Sequence, residues 1–104
     1  MVVDNIPTRA AQQYYVYLSQ CANTELYVGS TQNVEQRMLA HNQGRGGRYT
    51  RARRPLTLLA SWSFTSRAEA RQAERMIKRL TPVQKYALVG TVRPFGLLSK
   101  KVYP

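Results

Sequence analysis

Tyr17, Tyr27, Arg37, His41 and Glu74 are the residues of this chain whose types and spacing suit work on phosphate and water. Arg37 and His41 stand four positions apart, so on a helix they project from one face. An arginine guanidinium forks bidentately onto phosphate, which a lysine ammonium cannot do. A histidine there can orient a neighbouring hydroxyl or relay a proton; it can equally be a hydrogen-bonded residue near a helix end. Glu74 falls beside Ala70 and Ile77 on the apolar edge of a helical stripe, where an acid needs a reason to be. One reason is a divalent cation held by a single carboxylate and water, as Mg²⁺ prefers. Another is an i,i+4 pair with Lys78, worth only about 0.3–0.5 kcal/mol and more natural on an outer face. The chain has one histidine and one cysteine, Cys21, so a zinc grouping is not expected. Nor does it hold the carboxylate cluster that two-metal phosphate chemistry uses.

Charge narrows the partner. Sixteen Lys and Arg face five Asp and Glu, giving +11, and twelve of the sixteen are arginine. A phosphate-rich partner is the natural inference, because each phosphate contact releases counterions. Five arginines, Arg45, Arg48, Arg51, Arg53 and Arg54, crowd into GRGGRYTRARRP (44–55) with no acid among them. With Tyr49, which can stack on a base or bond phosphate, and Lys78 they form the expected nucleic-acid contact set.

Elements must hold these residues together. At 104 residues the chain is one domain with a modest core. Cys21 cannot form an internal disulfide, and no apolar run reaches the length of a membrane span. The N-terminus lacks an apolar core behind a basic start, so no signal peptide is expected. A cytoplasmic setting fits.

Residues 1–13 read as an irregular lead-in. Residues 14–19 and 25–29 read as strands around the turn residues ANT. Whichever register pairs them, odd numbers face odd numbers, so Tyr17, Tyr27 and Gly29 share one face and Val16, Leu18 and Val28 the other. Asn33, with Gln36 three residues on, opens a helix that stops at QGRGG. LTLLASWSF (56–64) reads as a third, well-buried strand. Ser66 and Glu69 open a helix running to about Leu80, with Ala70, Ala73, Ile77 and Leu80 as its apolar stripe. Thr81-Pro82 opens a last short helix, ended by Gly90. The tail 91–104 has weak periodicity. The expected fold is α+β, order ββαβαα, with a small three-stranded sheet and one domain over 14–90.

The order of these residues resembles the GIY-YIG nuclease superfamily over roughly residues 14–89. Tyr15-Val16-Tyr17 and Tyr27-Val28-Gly29 stand at its two triplets. Arg37 follows ten residues after Tyr27, and His41-Asn42 four residues after Arg37. NQGRGGRYTRARRP is similar to a segment of the small stand-alone members related to junction endonucleases. EARQAERMIKRL resembles the helix carrying the family's metal-ligand glutamate, here Glu74. The chain departs from the pattern at Tyr15, where a glycine is usual, and in lacking any asparagine after Asn42.

The resemblance implies a Mg²⁺- or Mn²⁺-dependent DNA endonuclease using one metal ion. It implies that Tyr27 takes the proton of the attacking water, with Tyr17 bonding water or phosphate from beside it. A phenol ionises near pH 10 in water, so the site must supply about 4 kcal/mol; a nearby arginine and a hydrated cation both push that way. The residues agree independently: phosphodiester hydrolysis needs an activated water and charge relief at phosphorus. A nucleic-acid-binding module with little activity, or a nuclease subunit needing a partner protein for specificity, remain alternatives. The DNA form cleaved does not follow from the sequence.

Overall fold

The computed structural model describes residues 13–91; the expectations for the lead-in and the tail lie outside them. Strands β1 (Tyr14–Gln20) and β2 (Leu26–Thr31) form an antiparallel hairpin. Between them Thr24 takes φ 72°, while Cys21 N–H donates to Glu25 O at 2.8 Å and Asn23 Oδ1 accepts from Glu25 N–H at 3.1 Å. The polar ANT stretch thus satisfies its own backbone as a turn must. The register pairs Tyr17 with Gly29 and Ser19 with Tyr27, so odd residues face odd residues.

Strand β3 (Thr57–Phe64) pairs antiparallel with β1, giving the order β2-β1-β3. β3 is therefore an edge strand and not the well-buried strand expected. Only Trp62 of it is fully buried, and Leu58 is 42% exposed. Its apolar content reads like a central strand, but Ser61 and Ser63 face outward, the sheet has only three strands and β1 takes the centre.

The helices are α1 (Val34–Asn42), α2 (Arg48–Arg51), α3 (Arg67–Lys78) and α4 (Pro82–Leu88). Asn33 and Ser66 cap α1 and α3 by accepting from the backbone N–H three residues on. At α4 the full reciprocal box forms between Thr81 and Gln84. α2 is an addition: a single turn inside what reads as a basic loop, with no side-chain cap.

The sheet is covered on both faces. Val16, Leu18, Val28 and Trp62 pack against Ala70, Ala73 and Ile77 of α3. The small alanines let α3 approach closely, and Ile77, fully buried, fills the centre. On the opposite face Tyr17 and Ser19 meet α1. There the Ser19 hydroxyl donates to Met38 Sδ at 3.4 Å, and Tyr17 bonds His41. Asn42 ties the end of α1 to the start of β3: its Oδ1 accepts from Leu56 N–H at 2.7 Å, and its Nδ2 donates to Leu56 O at 3.0 Å.

Candidate active site

The Tyr17 hydroxyl is where the site residues meet. It lies 2.7 Å from His41 Nε2, and His41 Nδ1 lies 2.9 Å from Thr50 Oγ1, all of it buried. Burial pushes the Tyr17 phenol up to about 12, against an opposing pull from Arg37; Tyr27 and Glu74 push it up further. Tyr17 therefore keeps its proton and donates it to Nε2. His41 is held below its ordinary value, first by burial and then by the Arg37 charge, so it is the neutral imidazole. A neutral ring accepting at Nε2 carries its proton on Nδ1, which donates to Thr50. The chain Tyr17–His41–Thr50 fixes all three side chains.

Two glycines make room for it. A Cβ on Gly46 would sit 2.0 Å from His41 Nδ1, and one on Gly29 would sit 2.5 Å from the Tyr17 hydroxyl oxygen. Gly29 fits the close approach expected at that strand position. Gly46 and Thr50 escape sequence reasoning, because their contact with His41 depends on how the 44–50 loop folds back over α1.

Tyr27 is half-buried on the same face. Its ring lies 6.2 Å from Tyr17 and 5.3 Å, edge-on, from His41. On its other side Tyr49 stacks at 5.9 Å, and the Arg53 guanidinium lies 3.8 Å above Tyr49. Glu25 closes this stack by accepting from the Tyr49 hydroxyl at 2.5 Å and from Arg53 Nε at 2.9 Å. Those two bonds, Tyr49 first, hold the Glu25 carboxyl below the usual range, and the bond to Glu25 raises the Tyr49 phenol. Arg53 and Tyr49, expected among the nucleic-acid contacts, are thus tied to Glu25, a residue sequence reasoning did not single out. Arg45, Arg48, Arg51 and Arg54 are exposed and form no ion pair among the described residues.

Glu74 comes from the opposite layer. Its Oε1 accepts from the Ser30 hydroxyl at 2.9 Å, and its Oε2 pairs with Lys78 at 2.9 Å. Ser30 sits on β2, the other edge strand, and pairs with Val16, so the bond holds Glu74 on the α3 side of that edge, from where its charge still acts on the Tyr17 phenol. The i,i+4 pair with Lys78 does form, and the carboxylate is also held by a hydroxyl. Among the described residues no three metal-ligating side chains cluster. The donor set is one oxygen ligand, which fits a hard cation keeping most of its water and does not fit zinc. Each carboxylate oxygen retains a free lone pair beside the bond it already makes.

A three-stranded antiparallel sheet with helices on both faces is the fold the residue order implied. The GIY-YIG catalytic domain matches residues 13–87, and the chain belongs to the GIY-YIG family of nuclease domains. Within it, the chain is similar to the UPF0213 proteins. It is 44% identical over 84 residues to that of Nitratidesulfovibrio vulgaris, covering 81% of this chain and 76% of the relative. It is 43% identical over 80 residues to that of Natronomonas pharaonis, covering 77% and 94%. The solution NMR structure of the UPF0213 protein from Bacillus halodurans superposes with TM-score 0.50 at 36% identity, covering 86% of this chain and 96% of that one. That of a protein from E. faecalis gives 0.53 at 33%, covering 82% and 88%.

Proposed function

We propose that this protein is a DNA endonuclease that depends on a single Mg²⁺ or Mn²⁺. The observation that carries the reading is the convergence on the Tyr17 hydroxyl: His41 bonds it, and Arg37, Tyr27 and Glu74 all act on it electrostatically. Tyr27 is the general base, taking the proton of a water that attacks phosphorus as the bond to the leaving sugar oxygen breaks. Arg37 holds the scissile phosphate and offsets the negative charge that develops there. Tyr17, 1% exposed and committed to His41, serves as the rigid wall that sets the position of Tyr27. Glu74 would hold the cation, with Ser30 orienting the carboxylate and Lys78 turning away. Such a cation would supply positive charge against the phosphate oxygens. The exposed arginines of residues 45–54 supply phosphate affinity without reading sequence.

A second reading is favoured by one observation, the Glu74–Lys78 pair at 2.9 Å, which leaves the carboxylate satisfied without a metal. On that reading the protein is a nucleic-acid-binding module, or a nuclease subunit that cuts only with a partner protein. The deciding experiment incubates the full chain with branched, flapped, single-stranded and duplex DNAs in Mg²⁺, Mn²⁺ or EDTA. The nuclease reading expects metal-dependent cutting of at least one form, lost in Glu74→Gln while DNA binding stays intact or strengthens. Binding to every form with no cutting in either metal would favour the second reading. Loss of binding together with cutting in Glu74→Gln would make Glu74 structural.

A further inference from the structure

A cavity of about 150 Å³ opens where the end of β2 meets the start of α3, and the proposed chemistry leaves it unused. Tyr14, Ser30, Thr31, Gln32, Arg67 and Arg71 line it. Its two arginines carry uncompensated charge: among the described residues the ion pairs are Arg53–Glu25 and Lys78–Glu74. The Arg67 guanidinium lies over the Tyr14 ring, 5.1 Å from its centroid, which holds it at the cavity wall. The hydroxyls are already engaged, Ser30 donating to Glu74 and Thr31 to the Asn33 carbonyl. The free donors facing the space are therefore the two guanidiniums and the Gln32 amide. Two unpaired cations side by side repel each other and are relieved by an oxyanion, which arginine grips in a fork.

The cavity also adjoins Glu74. Ser30 lines the one and bonds the other. On α3, Arg67, Arg71 and Glu74 follow each other at i, i+4 and i+7, one stripe of the helix. At about 1.5 Å rise per residue, Arg71 and Arg67 stand roughly 4.5 and 10.5 Å along the axis from Glu74. A DNA strand carries one phosphate per about 3.4 Å of duplex axis, so this offset spans roughly one to three nucleotides. The basic helix α2 lies at the other end of β2, where Tyr49 stacks on Tyr27.

We propose that the Arg67–Arg71 cavity is a second phosphate subsite, gripping the backbone of the substrate strand one to three nucleotides beyond the bond held at Glu74, on the side away from α2. The strand's identity as substrate rests on the nuclease reading, but the binding does not. The test is therefore made in EDTA, where failure to cut plays no part. Labelled DNA is titrated with the full chain over a series of salt concentrations. Arg67→Gln/Arg71→Gln should lower the slope of log K against log salt by about two, with little change in melting temperature. Arg75→Gln/Arg79→Gln, the same charge loss from exposed positions of the same helix region, should lower it by clearly less. Should the double variant melt early, Arg71→Gln alone carries the test, with a drop of about one. Equal slope losses in both pairs would reduce the effect to net charge and overturn the subsite. So would an unchanged slope in the Arg67/Arg71 variants. If inorganic phosphate raises the melting temperature of the wild type alone while that slope stays unchanged, the cavity is a free-anion site and the strand proposal fails.

Discussion

Tyr17 closes the first triplet and Tyr27 opens the second, and the fold gives them opposite characters. Tyr17 is buried, its phenol pushed up to about 12 and its hydroxyl donating a hydrogen bond to His41 Nε2. Tyr27 stands half-buried at the rim. Tyr27→Phe keeps the ring that packs between Tyr49 and His41, so the melting temperature should hold near wild type. Cleavage should still fall about 10²–10⁴-fold, the usual worth of a placed general base. Tyr15→Phe should do far less. A near-normal rate in Tyr27→Phe would return the proton question to other groups. Tyr17→Phe behaves differently: it strands a buried His41 nitrogen and should cost about 1–3 kcal/mol in denaturant unfolding. Gly46→Ala drives a methyl into His41 and should destabilise by a similar amount, about 1–3 kcal/mol. If Gly46→Ala unfolds at the wild-type denaturant midpoint, the close packing of that loop on His41 is not what holds the ring.

The elements divide the work of binding unequally. Arg45, Arg48, Arg51 and Arg54 face solvent, whereas Arg53 is spent on Glu25 and Tyr49, locking α2 to the β1–β2 turn. Neutralising Arg48 and Arg51 should lower the salt slope of DNA binding by about two, with melting unchanged. Arg53→Gln should instead loosen Tyr49 and lower the melting temperature; a pure slope effect there would show the clamp to be dispensable. The hairpin parity, the caps at Asn33, Ser66 and Thr81, and the α3 stripe were legible from sequence, because each is set by neighbours within a turn or a strand period. The position of β3 was not, since an apolar run carries no information about which strand ends up central. α2 was equally hidden: its N-cap is Gly47 at φ 120°, with no side-chain signal. Glu25 and Ser30 matter through partners far along the chain, and Gly46 and Thr50 through a loop that folds back on His41; a single sequence displays neither. The grouping of Tyr17, Tyr27, Arg37, His41 and Glu74 was legible only through their order, which resembles a known family.

For the molecule as a whole, acid is the expected weakness. His41 sits below its ordinary value when folded, so as pH falls through about 6.5 the unfolded chain takes up a proton that the folded chain refuses. Stability should therefore decline from about pH 7 downward. The chain has one histidine, so a single imidazole NMR signal reports it, and its midpoint should lie below about 6.5; a midpoint above that would refute the neutral ring. Glu25 adds a second acid limb. Its folded value is lowered, so its contribution is present above about pH 4 and lost as pH falls through the folded value. Glu25→Gln should flatten that limb in thermal melts while leaving the histidine limb in place.

The two-layered site also has a history within each folding event. Tyr17, Tyr27, Arg37, His41 and Thr50 belong to one stretch whose Tyr17–His41 bond closes a loop of 24 residues, against 44 between Ser30 and Glu74, and so at smaller entropic cost. Glu74 arrives only when α3 docks and Ala70, Ala73 and Ile77 meet Trp62 in the core. On the nuclease reading, activity in refolding experiments should return no sooner than the fluorescence of the lone tryptophan reports its burial, so completion of the core decides when the site is whole.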